Sequence, residues 1–120
     1  MSDQQQRNDE RVPAVISSYV RRPLPEGGFA LMQFVSKDLS LGGIFVVTDN
    51  LSTFDLGEVV TLIIDRDRSR YFEGSAKVVR STRVFSKESE MTESGYGLMF
   101  AEAPEEFHAA IAEEIASASA

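Results

Sequence analysis

Residues 72–78 alternate without a break. Phe72, Gly74, Ala76 and Val78 fall on one side of an extended chain, and Glu73, Ser75 and Lys77 on the other. A period of two specifies a half-buried β-strand. Shorter runs carry similar signals. Val12, Ala14, Ile16 and Ser18 alternate with Pro13, Val15, Ser17 and Tyr19, with Pro13 suited to a strand start or edge. Phe29–Val35 is apolar on both faces. Ile44–Val47, Glu58–Asp65 and Gly95–Phe100 complete six expected strands. The connections are turn-like: the Pro- and Gly-rich stretch Arg21–Gly28, the DLSLGG run at 38–43, the loop 49–57, a charged hairpin tip at 65–70 and a polar loop at 86–94. The clearest strand is expected to run on toward Val84, with a bulge near Val78–Val79.

The period changes at the end. Phe107, Ile111 and Ile115 recur every four residues, with Ala110 between them. Pro104 suits a first helical turn, and Glu105 and Glu106 suit the positive end of a helix dipole. The stripe is expected to dock a helix, about 104–117, onto the chain's own sheet. The expected fold is therefore all-β with one C-terminal helix, a six-stranded antiparallel β-barrel. No internal repeat is visible.

Composition narrows the function. With 120 residues there is room for one domain. There is no cysteine, which removes disulfides, thiolate metal sites and cysteine nucleophiles. The one histidine, His108, lies beside Glu105 and Glu106 and reads as a solvated helix residue. No catalytic pair, nucleophile with base, or metal cluster stands out, so neither an enzyme nor a metal site is expected, and no cofactor. The net charge of −7 argues against general nucleic-acid binding. The N-terminus has no apolar secretory region, and no apolar run approaches the ~20 residues that insert in a bilayer. A cytoplasmic location is expected. The charge is uneven: residues 1–22 carry four Arg, while 101–120 carry five Glu and no Lys or Arg.

Two short motifs stand out. Arg7 and Arg11 form an RxxxR ahead of the first strand. Asp38, Ser40 and Gly43 form a DxSxxG between the second and third. Singly, each has a bland reading. A second RxxxR, Arg66 and Arg70, sits at the charged hairpin tip, and nine arginines make such a pair expected by chance. Asp38 and Ser40 are good turn formers that can bond nearby backbone N–H groups, and Gly42 or Gly43 can supply a positive φ.

The order of the two motifs, followed late by the strand Gly95-Tyr96-Gly97-Leu98-Met99-Phe100, resembles the PilZ domain family over nearly the whole chain. The resemblance implies a PilZ-type barrel, 12–120, preceded by a flexible arm, 1–11, that carries RxxxR. Many family members bind the bacterial second messenger cyclic di-GMP. The resemblance thus implies a stand-alone receptor whose ligand contacts are Arg7, Arg11, Asp38, Ser40 and Gly43. The residue types suit that ligand. Arg presents a planar fork for guanine O6 and N7 or for phosphate oxygens. Asp38 can accept from guanine N1–H and the N2 amino group. Ser40 has a short hydroxyl within reach, and Gly43 leaves room for close approach. Ligand would order the arm against the barrel, and the changed surface would signal through protein contacts. The expected partners are cyclic di-GMP and an unidentified protein effector, with room for a homodimer and without nucleic acid or membrane insertion.

Two other classes compete. A PilZ-like interaction module that binds no nucleotide would be expected to lack the Arg or DxSxxG residues. A single-strand nucleic-acid barrel would need a basic groove and aromatic platforms.

Overall fold

The computed structural model describes residues 11–67, 70–85 and 92–119. Seven strands and one helix occur in these segments: β1 (Val12–Pro13), β2 (Ser17–Pro23), β3 (Phe29–Leu39), β4 (Gly43–Val47), β5 (Val59–Asp67), β6 (Arg70–Phe85), β7 (Thr92–Phe100) and α1 (Glu105–Ser119). Six of them close a barrel in the order β3-β2-β5-β6-β7-β4, because β3 also pairs with β4. Every pairing is antiparallel. The expected six-stranded barrel with a C-terminal helix is the fold observed. β1 is an addition, two residues long, laid on β3.

The inward residues follow the period of two. Val20 on β2, Leu62 and Ile64 on β5, Ala76 and Val78 on β6, and Tyr96 and Leu98 on β7 are all buried in one core. Tyr96 is the largest of the fully buried side chains. Its ring meets Phe54 edge-on at 5.1 Å, and Phe54 in turn lies 5.7 Å from Phe34. The Tyr96 hydroxyl accepts a hydrogen bond from the Phe54 N–H at 3.2 Å, so the one polar atom of this ring is satisfied. On α1, Phe107, Ala110 and Ile111 are buried, and Phe107 stacks edge-on against Phe100 at 5.3 Å. The apolar stripe docks on the barrel, as its spacing predicts.

The first strand departs from expectation. Its alternation over residues 12–19 predicts one strand, but the chain leaves the ladder at 14–16. The cause is local. Pro13 has no N–H, and β3 bulges between Ser36 and Asp38. The buried Ser36 hydroxyl bridges the gap: it accepts from the Ile16 N–H at 2.9 Å and donates to the Ala14 carbonyl. Ser36 N–H donates to the Ile16 carbonyl at 3.2 Å. Two other boundaries also move. β2 continues through Arg21, Arg22 and Pro23, so the turn is shorter than the Pro- and Gly-rich stretch suggests. β3 continues to Leu39, so Asp38 is a strand residue and not part of the turn.

Arg22 ties the 48–58 loop to the barrel. Its Nε and Nη2 form a fork on the Glu58 carboxylate at 2.6 and 3.0 Å, Nη2 also donates to the Thr53 carbonyl, and the guanidinium lies over the Phe54 ring. Partial burial alone would raise the Glu58 carboxyl. The hydrogen bond from Arg22, the Asp55 N–H and the charge of Arg22 outweigh it and hold the group below its ordinary value of 4.5.

Closure of the barrel depends on two glycines. A Cβ on Gly43 would stand 2.4 Å from the Leu98 carbonyl oxygen, and one on Gly95 would stand 2.0 Å from the Val46 carbonyl oxygen. β4 and β7 can approach to pairing distance only where these side chains are missing. Gly43→Ala should therefore destabilise the fold by about 3 kcal/mol, with a fall in Tm on the order of 10 °C. Thermal unfolding by circular dichroism checks this, and a variant that melts with the parent would show the approach to be looser than drawn. The Glu58 carboxylate generates a second expectation. A carboxyl lowered by folding contributes stability above its unfolded value and loses it as pH falls through its folded value. Glu58→Gln should lower stability at neutral pH and flatten its decline below about pH 4.5. Urea melts across pH 3–7 would refute this if parent and variant declined in parallel.

Candidate functional site

The Ser36 bridge sets the position of Arg11. Val12 pairs with Leu39, and Pro13 with Asp38, so the chain enters β1 beside the end of β3. Arg11, one residue earlier, donates from Nη1 to Asp38 Oδ1 at 2.6 Å, across 27 residues of sequence. Both side chains are partly open to solvent, at 38 and 25 % of full exposure. The bulge in β3 turns Asp38 outward, opposite Phe45 of β4.

Ser40 follows, in the turn to β4. Its N–H donates to the Gly43 carbonyl at 2.9 Å. Its buried hydroxyl accepts from the N–H groups of Gly42 and Gly43 at 3.3 and 3.1 Å. Neither Gly42 nor Gly43 adopts a positive φ, contrary to the turn expected from the sequence. The side chain of Ser40 replaces that device by holding two backbone donors at once. Gly43 has its own structural reason, the closeness of Leu98.

Arg11, Ser40, Gly42 and Gly43 line a pocket of about 260 Å³. Its other walls are Val79 of β6 and Leu98 and Met99 of β7. One face of the pocket thus offers a cation with a carboxylate nearby, set on the Ser40 turn, and the opposite face is apolar. That pairing of surfaces suits a flat, polar-edged heterocycle with an attached anion. The volume lies just under the roughly 300 Å³ at which small-molecule sites begin. Among the described residues, no group of His, Asp or Glu could hold a metal.

Of the five residues expected at the site, four come together: Arg11, Asp38, Ser40 and Gly43. Arg7, with the rest of 1–10, lies outside the described residues. Arg11, the last residue of the expected arm, is already held by Asp38. Arg21 and Arg22 are engaged elsewhere. Arg21 donates to Glu73 at 2.8 Å and lies over the Phe29 ring, and Arg22 holds Glu58. Both face the opposite end of β3, opposite Leu31 and Ala30, roughly 25 Å from Asp38 at 3.3 Å per strand residue. Val79, Leu98 and Met99 are pocket residues that the motifs do not point to. The available signals were the bulge near Val78–Val79 and the alternation that turns Met99 outward. A larger groove, about 390 Å³, lies between Tyr19, Leu31, Ile63, Tyr71 and Glu73, but it brings no set of converging donors together. No described helix is long and apolar enough to cross a membrane.

Comparison with known proteins agrees with the fold. No curated protein sequence matches the chain. Among solved structures, the PilZ domain of YcgR from Escherichia coli, with c-di-GMP, superposes with a TM-score of 0.68 at 18 % identity, over 96 % of this chain and 92 % of that one. The Bacillus subtilis inhibitor of motility MotI/DgrA gives 0.63 at 25 % identity, over 89 % of this chain and 48 % of that one. The K. pneumonia MrkH–c-di-GMP complex gives 0.67 at 17 % identity, over 92 and 50 %. The chain therefore spans about half the length of the last two proteins. The model of the PilZ domain matches residues 5–117. With nearly its entire length matched, the chain belongs to the PilZ domain family.

Proposed function

We propose that this protein is a receptor for cyclic di-GMP, acting in the bacterial cytoplasm as an adaptor and not as an enzyme. The observation that carries the reading is the meeting of Arg11 and Asp38, from distant parts of the sequence, at the rim of a pocket floored by the Ser40–Gly43 turn. Arg11 can direct its fork at guanine O6 and N7 or at a phosphate. Asp38 accepts from guanine N1–H and the amino group. Val79 and Met99 give the base an apolar face to lie against. The presence of c-di-GMP in the related YcgR and MrkH structures supports the choice of ligand.

The ion pair also suggests how the site answers ligand. A half-exposed pair of this kind contributes roughly 0–1 kcal/mol, so guanine can exchange it for charge-assisted bonds at little cost. Arg7 would join from the N-terminal side, and its engagement by ligand would alter the surface offered to an effector protein or to a second copy.

One observation favours a second reading, a PilZ module that binds no nucleotide. Ser40 and Gly43 have complete structural duties in the turn and in barrel closure, so their presence does not by itself require a ligand. Titration calorimetry with cyclic di-GMP separates the two. The parent should bind. Arg11→Ala and Asp38→Ala should each weaken binding by about 10- to 100-fold, from roughly 1.5–3 kcal/mol per charge-assisted contact. Both should melt within a few degrees of the parent, because the exposed pair adds little stability. No heat from the parent would move the assignment to the second reading.

A further inference from the structure

The outer face next to the pocket has an unusual construction. Across four strands, one rung runs Asp38, Phe45, Gly97, Arg80, from β3 through β4 and β7 to β6. Both outer members follow bulges, one between Ser36 and Asp38, the other between Val78 and Arg80. A regular strand points every second residue outward. In β6, Val78 is buried while Val79 and Arg80 are both exposed. The bulge therefore gives the pocket side two consecutive outward residues. Val79 is a wall of the pocket, and Arg80 is its neighbour.

Between the two bulges the floor is low. A Cβ on Gly97 would lie 3.2 Å from Arg80 Nε and 3.7 Å from its Cζ. The side chain of Arg80 thus lies across β7, over the glycine. Phe45 lies flat from the other side, its ring within 3.0 Å of where a Gly95 side chain would begin. Arg80 makes no ion pair or hydrogen bond with any described residue, although the chain carries a net charge of −7. The only acidic residue on its rung is Asp38, already held by Arg11. Three strand spacings separate the backbones of Asp38 and Arg80, about 14 Å, and the reach of Arg80 over Gly97 shortens the gap to about 10 Å. That span fits a ligand larger than the pocket, one whose base sits at Asp38 and whose anionic part extends along the trough.

We propose that Arg80 is an additional ligand-binding arginine, one that contacts a phosphate of the bound cyclic dinucleotide from the β6 side, opposite Arg11. The assignment rests on the receptor reading above and adds to it a residue outside both motifs. The β6 bulge is the device that builds this contact. Phosphate recognition needs a positive charge more than a planar fork, so lysine should serve at this position.

The test is titration of the full chain with cyclic di-GMP at low and at moderate salt, for the parent, Arg80→Ala, Arg80→Lys, Arg83→Ala and Arg11→Ala. Arg80→Ala should lose about 10-fold or more in affinity and show a shallower dependence on salt, as expected when one phosphate contact is removed. Arg80→Lys should recover most of both. Arg83→Ala, an exposed arginine further along β6, should bind like the parent. Circular dichroism should show each variant folded. If Arg80→Ala binds like the parent while Arg11→Ala fails, the receptor reading stands and the role of Arg80 is overturned. If Arg80→Lys is as weak as Arg80→Ala, a phosphate contact is overturned. If the parent itself gives no heat, both readings fall.

Discussion

β3 hydrogen-bonds along both edges, and the rest of the molecule depends on that pairing. One edge serves β2 and then β1; the other serves β4 and closes the barrel. A closed barrel leaves its strands without free edges, so backbone groups are satisfied without a second sheet. The bulge between Ser36 and Asp38 is the point where these demands meet. It lets the strand change partners on one edge, with Ser36 supplying the missing hydrogen bonds. It also turns Asp38 outward, where Arg11 reaches it. The geometry of the site therefore follows from one local feature of β3.

The site combines fixed and exchangeable parts. The Ser40 turn and the glycine contact between β4 and β7 are rigid, because each is bound by backbone sterics or by several hydrogen bonds. The Arg11–Asp38 pair is partly exposed and weakly coupled to the fold. Rigid backbone with replaceable charges is a sound arrangement for a receptor. In the proposed receptor the scaffold would stay fixed as ligand enters, and the charged groups would exchange one partner for another. Screening beyond about 10 Å limits the repulsion that distant carboxylates of this acidic chain would exert on an anion at the site.

Much of the fold was legible in the sequence. Phe72–Val78 and Phe107–Ile115 have side-chain periods that admit one reading each, and those elements form as expected. The DxSxxG segment was legible as a tight strand junction. The first strand was not, because alternation says nothing about a missing donor at Pro13 or a bulge in the facing strand. Nor did the motifs reveal why Gly43 is glycine. The expected reasons were a positive φ and room for ligand, whereas the contact that demands it is the carbonyl of Leu98, 55 positions further along the chain numbering than residue 43.

The sequence by itself determined the barrel, the helix and the residue types able to grip a guanine or a phosphate, since hydrophobic period and side-chain chemistry are local properties. Only the tertiary structure decided which of those residues meet. It paired Arg11 with Asp38 and committed Arg21 and Arg22 to Glu73 and Glu58. It also laid Arg80 over Gly97 beside the pocket. The physical reason is register. Which residue faces which across a barrel depends on where bulges and close glycine contacts shift the ladders, and those shifts arise between strands rather than within them.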